Sequence, residues 1–277
     1  MLVKGIEKII RKKLQFETDA SWIECRVSTW RQLERIFEIL DQDNWLFRGQ
    51  TNADWGLKTS IYRLFEDFSY LNLSEQDKYE FEQEIVRTFK ANAHLYGINN
   101  LSESDTLEWL SVMQHYGAPT RMLDVSHSPY IASYFALESG EDDCAIYCFN
   151  YHKFKEIDEE LFGNSVYKDR VLDSKNDGGN FLMAYEPFKT NERLLLQQGA
   201  FLVPSNTTDT FDKIVEEYGD ESKCLKIVIP SSLRLEGLRK LQKMNISAAT
   251  LFPGIDGFCK SLRTRVINPL HKLKRIE

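Results

Sequence analysis

Proline and glycine are scarce in this chain, long apolar runs are missing, and the cysteines are few and unpaired. Seven prolines and fourteen glycines in 277 residues exclude a linker-rich or collagen-like chain. There is no internal repeat and no low-complexity tract. No window reaches the ~20 apolar residues of a membrane span. The first residues alternate basic and apolar side chains without the apolar core of a secretion signal. A cytoplasmic protein with no membrane partner is therefore expected.

The five cysteines (Cys25, Cys144, Cys148, Cys224, Cys259) form no C-x-x-C pair and mostly sit among apolar neighbours, the pattern of reduced, buried thiols. His94, His115, His127, His152 and His271 show no H-E-x-x-H or paired Cys/His spacing, so no metal centre is expected. A dinucleotide glycine fingerprint, a phosphate-binding glycine loop and a G-x-S-x-G elbow are all absent. Adjacent strand positions also point Ser126 and His127 to opposite faces, against a Ser-His-Asp triad. The net charge of −7 repels a phosphate backbone, so nucleic acid is not an expected partner. Basic residues do gather at the two ends (Lys4, Lys8, Arg11, Lys12, Lys13; Lys260, Arg263, Arg265, Lys272, Lys274, Arg275), and these read as solvated helix faces.

What is present is apolar content of 42% with 12% aromatics, enough to offset chain entropy with a sizeable core. Helical spacing covers residues 3–14. Ser28 and Thr29 precede an i, i+3, i+4, i+7 pattern from Trp30 to Leu40. Trp45 to Gly49 reads as a short buried strand ending in Arg48. Further helices are expected from Ser74 to Leu95, with Phe81, Ile85 and Phe89 at four-residue intervals, and from a Thr106 cap to His115, stopped by Gly117. A strand follows over Thr120–Val125. Ser128-Pro129 pairs a capping hydroxyl with the one residue that needs no amide at the first helical position, and opens an almost wholly apolar helix from Tyr130 to Leu137. Later strands are expected at Cys144–Phe149, Arg193–Leu196, Ala200–Val203 and Leu225–Ile229, a polar loop at 173–180, and a helix over Leu233–Met244. Leu251 to Gly254 turns into a last helix. The fold class is α+β in a single domain, helix-rich in the first half and strand-rich in the second, without a parallel βαβ sheet. The expected division is a helical extension over 1–24, the domain over 25–262 and a basic tail over 263–277. Trp45, Trp55 and Trp109 have apolar company and read as core.

Three stretches can carry chemistry. Arg48 presents a planar fork suited to a carboxylate or diphosphate, and Gly49 beside it permits close backbone approach. A structural ion pair with Asp54 or Asp124 is the competing reading. Between Gln114 and Pro129, strand alternation puts Asp124 and Ser126 on one face, at the entry to a buried helix whose free amides favour anions. Here the alternative is a self-satisfied hydrogen-bond network. In Glu192 to Phe201, Gln197, Gln198 and Gly199 interrupt a strand pattern, as a bulge would.

Phe47-Arg48-Gly49-Gln50, Gln114 to Asp124 with Ser128-Pro129 and Tyr134-Phe135-Ala136, then Gln197 to Phe201 and Leu251 to Gly257, resemble in order the blocks of the FRG domain family. The resemblance runs from about residue 25 to 262; Val125 departs from it, standing where the family often has an aromatic. The family does not itself imply an activity. A further resemblance does: arginine on an early strand, serine at a strand end before a buried helix and a polar residue on a late strand are similar to ADP-ribosyltransferases. That resemblance implies an ADP-ribosyltransferase-like or NAD-hydrolysing effector, of the kind used as toxins or in phage defence, with NAD as the ligand. Arg48 would hold the diphosphate, Ser126 or Ser128 the nicotinamide ribose, and Tyr130 or Tyr134 would pack on the nicotinamide. Gln197 or Gln198 stands at the third position, where a carboxylate should steady the cationic ribose, with Glu192 nearby. His115, with a near-neutral pKa, is a candidate general base. The expected catalytic set is thus Arg48, His115, Ser126, Gln198 and Glu192. The expected ligand-binding set is Arg48, Gly49, Gln50, Thr120, Arg121, Asp124, Ser128 and Tyr134. The alternative function is a non-catalytic module that binds a nucleotide, another anionic small molecule or a protein partner in the same pocket.

Overall fold

A computed structural model describes residues 16–18, 22–40, 45–99, 101–162, 172, 180–217 and 224–263. Among these residues, eight strands, β1 (Phe16–Thr18), β2 (Trp22–Arg26), β3 (Trp45–Gln50), β4 (Leu123–Ser126), β5 (Cys144–Asn150), β6 (Leu182–Tyr185), β7 (Gly199–Pro204) and β8 (Cys224–Ile229), form one sheet in the order β1-β2-β8-β5-β3-β4-β7-β6. Every pairing is antiparallel except β2 with β8. The helices among the described residues are α1 (Trp30–Leu40), α2 (Ser60–Asp67), α3 (Glu75–Ala93), α4 (Thr106–His115), α5 (Pro129–Leu137), α6 (Tyr151–Phe162), α7 (Glu192–Leu196), α8 (Phe211–Glu217), α9 (Arg234–Lys243), α10 (Ala248–Leu251) and α11 (Ile255–Leu262).

The sheet is covered on both faces, which explains why β5 reads as an unbroken apolar run. Its alternate residues Ala145, Tyr147 and Phe149 join one core with α3, α4 and α8. Cys144, Ile146 and Cys148 join the other with α1, α5 and α9. Each fully buried large apolar side chain contributes about 1.5–3 kcal/mol, so α5, with six of nine residues buried, is a central stabilising element. Its start follows local chemistry: Ser128 Oγ accepts from the Ile131 amide at 3.3 Å and Pro129 sits in the first turn. The Ser74 capping box with Asp77 likewise opens α3.

The α+β class holds, and the strands are distributed along the chain: β1–β4 precede Gly140 and β5–β8 follow it. Early and late strands interleave because β3 pairs with both β4 and β5. A domain start at residue 25 would also divide β2, whose pairing with β8 runs from Trp22 to Arg26. The expected helix at 3–14, the loop at 173–179 and most of the basic tail lie outside the described residues. The expected strand at Arg193–Leu196 is helix α7, because the Asn191 side chain caps it by accepting from the Leu194 amide at 2.8 Å. Asp105, not Thr106, caps α4. Trp45 and Trp109 are buried, whereas Trp55 is exposed. Four cysteines are buried free thiols and Cys259 is exposed; burial pushes Cys25 up to about 12 and Cys144 up to about 11, so these thiols stay protonated and inert.

Candidate functional site

β3 and β4 pair at a single position, Phe47 opposite Ser126. The Arg48 guanidinium crosses between the two strands and donates to the Asp124 carbonyl oxygen at 2.6 Å. It does not form the ion pair that was the competing reading: the Asp124 carboxylate accepts instead from Gln114 Nε2 at 2.8 Å. Arg48 Nε is buried without a partner. Burial lowers the Arg48 pKa, with Asp124 opposing and Arg63 adding to the shift, yet a guanidinium stays charged at any working pH. A buried donor without an acceptor costs about 1–3 kcal/mol.

This gap opens into a cleft of about 370 Å³. Strands β3 and β4 contribute Phe47 to Gln50 and Asp124 to Ser126, and the β7 approach contributes Gln197. Ser126 Oγ donates to the Gln197 carbonyl oxygen at 2.8 Å and accepts from the Ser128 amide at 3.0 Å. The backbone of His127 donates to Gln198 O at 2.9 Å. Arginine and serine on adjacent strands thus meet glutamine at the approach to the next strand, though all three are far apart in the chain. Helix α5 forms a wall with Ala132, Phe135 and Glu138, at three-residue spacing on one face. The far rim is cationic and aromatic. Phe252 has the Arg193 guanidinium 5.1 Å and the Lys260 ammonium 4.0 Å from its ring centre, and the Phe135 ring lies edge-on at 6.0 Å.

The C-terminal corner that places Phe252 is tight by construction. Gly254 has φ +82°, and a Cβ at Gly257 would lie 1.9 Å from the Phe252 carbonyl oxygen. Leu251 O accepts from Gln197 Nε2 at 3.0 Å, joining this corner to the β7 approach.

Of the expected residues, Arg48, Gly49, Gln50, Asp124 and Ser126 line the cleft. Gly49 has a different use from the one expected. A Cβ there would lie 2.0 Å from Ala132 O and 2.6 Å from Ala136 N, so the close approach it permits is that of helix α5. Arg121 is 2% exposed and pairs with buried Glu82, Nε lying 2.8 Å from Oε1, while Nη1 donates to Ser205 O at 3.0 Å. It is a core residue, because each of its three nitrogens has a partner within the protein. Thr120 is fully buried, donating to Gln114 Oε1 at 2.6 Å and receiving the Met122 amide; it shapes the turn into β4. Ser128 is the α5 cap and is not part of the cleft lining.

Tyr134 is buried on the core side of α5, not stacked in the cleft, and burial first and Glu138 second raise the pKa of its hydroxyl. Tyr130 packs edge-on against Phe37 at 5.3 Å. Glu192 is an exposed residue in the first turn of α7, so its expected strand offset from Gln198 does not exist. Gln198 is exposed and holds a left-handed turn at φ 45° between α7 and β7; the expected bulge is this turn. His115, at the end of α4, does not line the cleft. Burial first and Arg193 second lower its pKa, so it is neutral at pH 7.

Phe135, Glu138, Arg193, Phe252 and Lys260 are among the cleft residues that carried no role in the sequence reading. Glu138 had a usable signal, as an acid three residues after Phe135 that ends an otherwise apolar helix. Arg193, Phe252 and Lys260 reach the cleft through long-range packing, which leaves no local pattern.

The sequence profile of the FRG domain family matches residues 43–144, a span that contains Arg48, Asp124, Ser126 and the α5 wall. No curated protein and no solved structure matches the chain.

Proposed function

With residues 43–144 an FRG domain, we propose that the cleft binds a nucleotide diphosphate, with NAD as the first candidate, and that the protein transfers its ADP-ribose or hydrolyses it. The observation that carries this reading is the Arg48 guanidinium, held beside Ser126 with Nε buried and unpartnered. A planar fork with open donors matches a diphosphate, and Arg193 and Lys260 add positive charge at the rim. The arrangement implied by the ADP-ribosyltransferase resemblance, arginine strand beside serine strand beside glutamine-bearing approach, agrees with the order β3-β4-β7. In this reading Arg48 holds the diphosphate, and the Phe135 and Phe252 rings offer apolar surface to a base. An NAD-consuming activity would suit a toxin or phage-defence effector.

Calorimetric titration with NAD and ADP-ribose, together with turnover of labelled NAD, tests the proposal. Arg48→Ala should weaken binding by about 10- to 100-fold, the equivalent of a charge-assisted hydrogen bond of about 1.5–3 kcal/mol. Folded wild-type protein that neither binds nor consumes NAD rejects the reading.

The second reading, a non-catalytic module that binds a ligand or protein, draws on the neutral amides Gln197 and Gln198 at the approach to β7, where a carboxylate would be expected. It requires saturable binding with no covalent change, so a modified product in the mass spectrum rules it out.

A further inference from the structure

Resting on the NAD reading above, we infer that Glu138 is the carboxylate that steadies the cationic ribose and deprotonates water, in place of an acid at the β7 approach. The argument begins with helix α5. Glu138 caps the C-terminal end of α5, where the last carbonyl groups create a negative potential that disfavours an acid. Among Pro129 to Glu138 it is the sole charged residue. The residue is solvent-exposed, yet partial burial of its carboxyl raises its pKa, against the Tyr134 hydroxyl and the cations Lys260, Arg193 and Arg263, which act to lower it. The carboxylate is thus kept at a structurally unfavourable position, and that position lies in the same cleft as Arg48 and Ser126.

Its placement is also rigid. Gly49 lets the α5 backbone sit against β3 at a distance no Cβ would allow, with Ala132 O 2.0 Å from where that atom would be. The residue adjacent to Arg48 therefore anchors the helix that carries Glu138. Tyr134, one turn earlier, is buried; its carbonyl oxygen accepts the Glu138 amide at 2.8 Å, and its hydroxyl acts to lower the Glu138 pKa. The other acid lining the cleft, Asp124, is held by Gln114 and lies beside the Arg48 charge, which suits it to orienting the arginine. The Glu138 carboxylate is the one left to face developing positive charge.

The step balances as a hydrolysis. The bond from ribose C1′ to the nicotinamide nitrogen breaks with both electrons going to nitrogen, and water oxygen bonds to C1′. Glu138 takes the proton that water loses and passes it to solvent, giving ADP-ribose, nicotinamide and one proton. Tyr134 is a positioning residue.

The test compares wild type, Glu138→Gln and Tyr134→Phe in NAD turnover and in binding of two probes. The probes are ADP-ribose and an ADP analogue whose terminal ribose is replaced by a protonated hydroxypyrrolidine, a mimic of the cation. Glu138→Gln should bind ADP-ribose within about 3-fold of wild type and lose at least 100-fold in turnover. It should also lose a preference of at least 10-fold for the cationic analogue. Tyr134→Phe should lower kcat by about 5-fold with KM unchanged. Turnover by Glu138→Gln within 3-fold of wild type, or an undiminished preference for the cationic probe, overturns the assignment while leaving the NAD reading intact. Wild type that binds NAD without consuming it overturns the hydrolytic role of Glu138, whatever the cationic probe shows, and leaves the binding part of the NAD reading intact. Failure of wild type to bind NAD or either probe removes both readings together.

Discussion

Arg48 and Arg121 sit in two regions built from the same materials, and they have opposite fates. Around Arg121 the chain is closed: Glu82 and the carbonyls of Pro204 and Ser205 meet the guanidinium inside the core, and both charged side chains are no more than 2% exposed. Around Arg48 the chain is open. One carbonyl is supplied, the nearby carboxylate is turned to Gln114, and Nε has no partner. Both arginines stand in motifs that sequence patterns single out. What separates them is whether the fold completes their hydrogen bonding or leaves part of it open.

The sharpest way to break this contrast is to remove each arginine. Arg121→Ala leaves Glu82 charged and buried without its partner, and should destabilise the protein by about 3–5 kcal/mol. Arg48→Ala should cost about 1 kcal/mol, the loss of one hydrogen bond, with its main effect on ligand binding. Urea denaturation of both variants measures the difference, and equal destabilisation would show that the two regions do not differ as described.

A second and somewhat smaller effect is expected at Gly49. Its Ala variant pushes a Cβ into the Ala132 carbonyl and the Ala136 amide, both backbone atoms that cannot rotate away. A loss of about 3 kcal/mol follows from overpacking. Gly199→Ala should cost less, because the nearest atom there, at 2.5 Å, is the end of the Leu194 side chain. Thermal melts of the two variants compare backbone with side-chain contact directly, and a Gly49 variant as stable as wild type would separate α5 from β3.

The smallest effect concerns Glu138 and pH. Its folded pKa is raised above the ordinary value of 4.5 by burial, despite Tyr134, Lys260, Arg193 and Arg263. The folded state therefore holds this proton more tightly than the unfolded state does. The stability it contributes is full below about pH 4.5 and is lost as pH rises through the folded value. Glu138→Gln should match wild type in acid and become the more stable protein near neutrality. Melting curves at pH 4 and pH 7 check this, and parallel behaviour at both would argue against a desolvated carboxylate. An activity lost while stability rises is the mark of a residue kept for the site and not for the fold.

Much of the architecture was legible residue by residue. The period of Trp30 to Leu40, the Ser128-Pro129 start and the unbroken apolar run of β5 each encode their element within a few positions. Arg193 to Leu196 misled because an apolar triplet resembles a strand until the Asn191 cap is weighed. At the site, Arg48, Asp124 and Ser126 were readable because they stand at strand ends. Arg121, Thr120 and Tyr134 were read as ligand residues because polar side chains in one short block look alike before their partners are known.

The sequence by itself determined which segments are helices and strands over most of the chain, that these make an α+β core, and that an arginine and a serine stand at strand ends before a buried helix. These properties depend on neighbours within a turn or a pleat. Only the tertiary structure decided which polar groups are already satisfied, since Arg121 finds Glu82 across 39 positions and Ser126 finds Gln197 across 71. It also brought Glu138, Arg193 and Lys260 to one cleft. Hydrogen bonding and charge are settled by distance in space, and no local period records it.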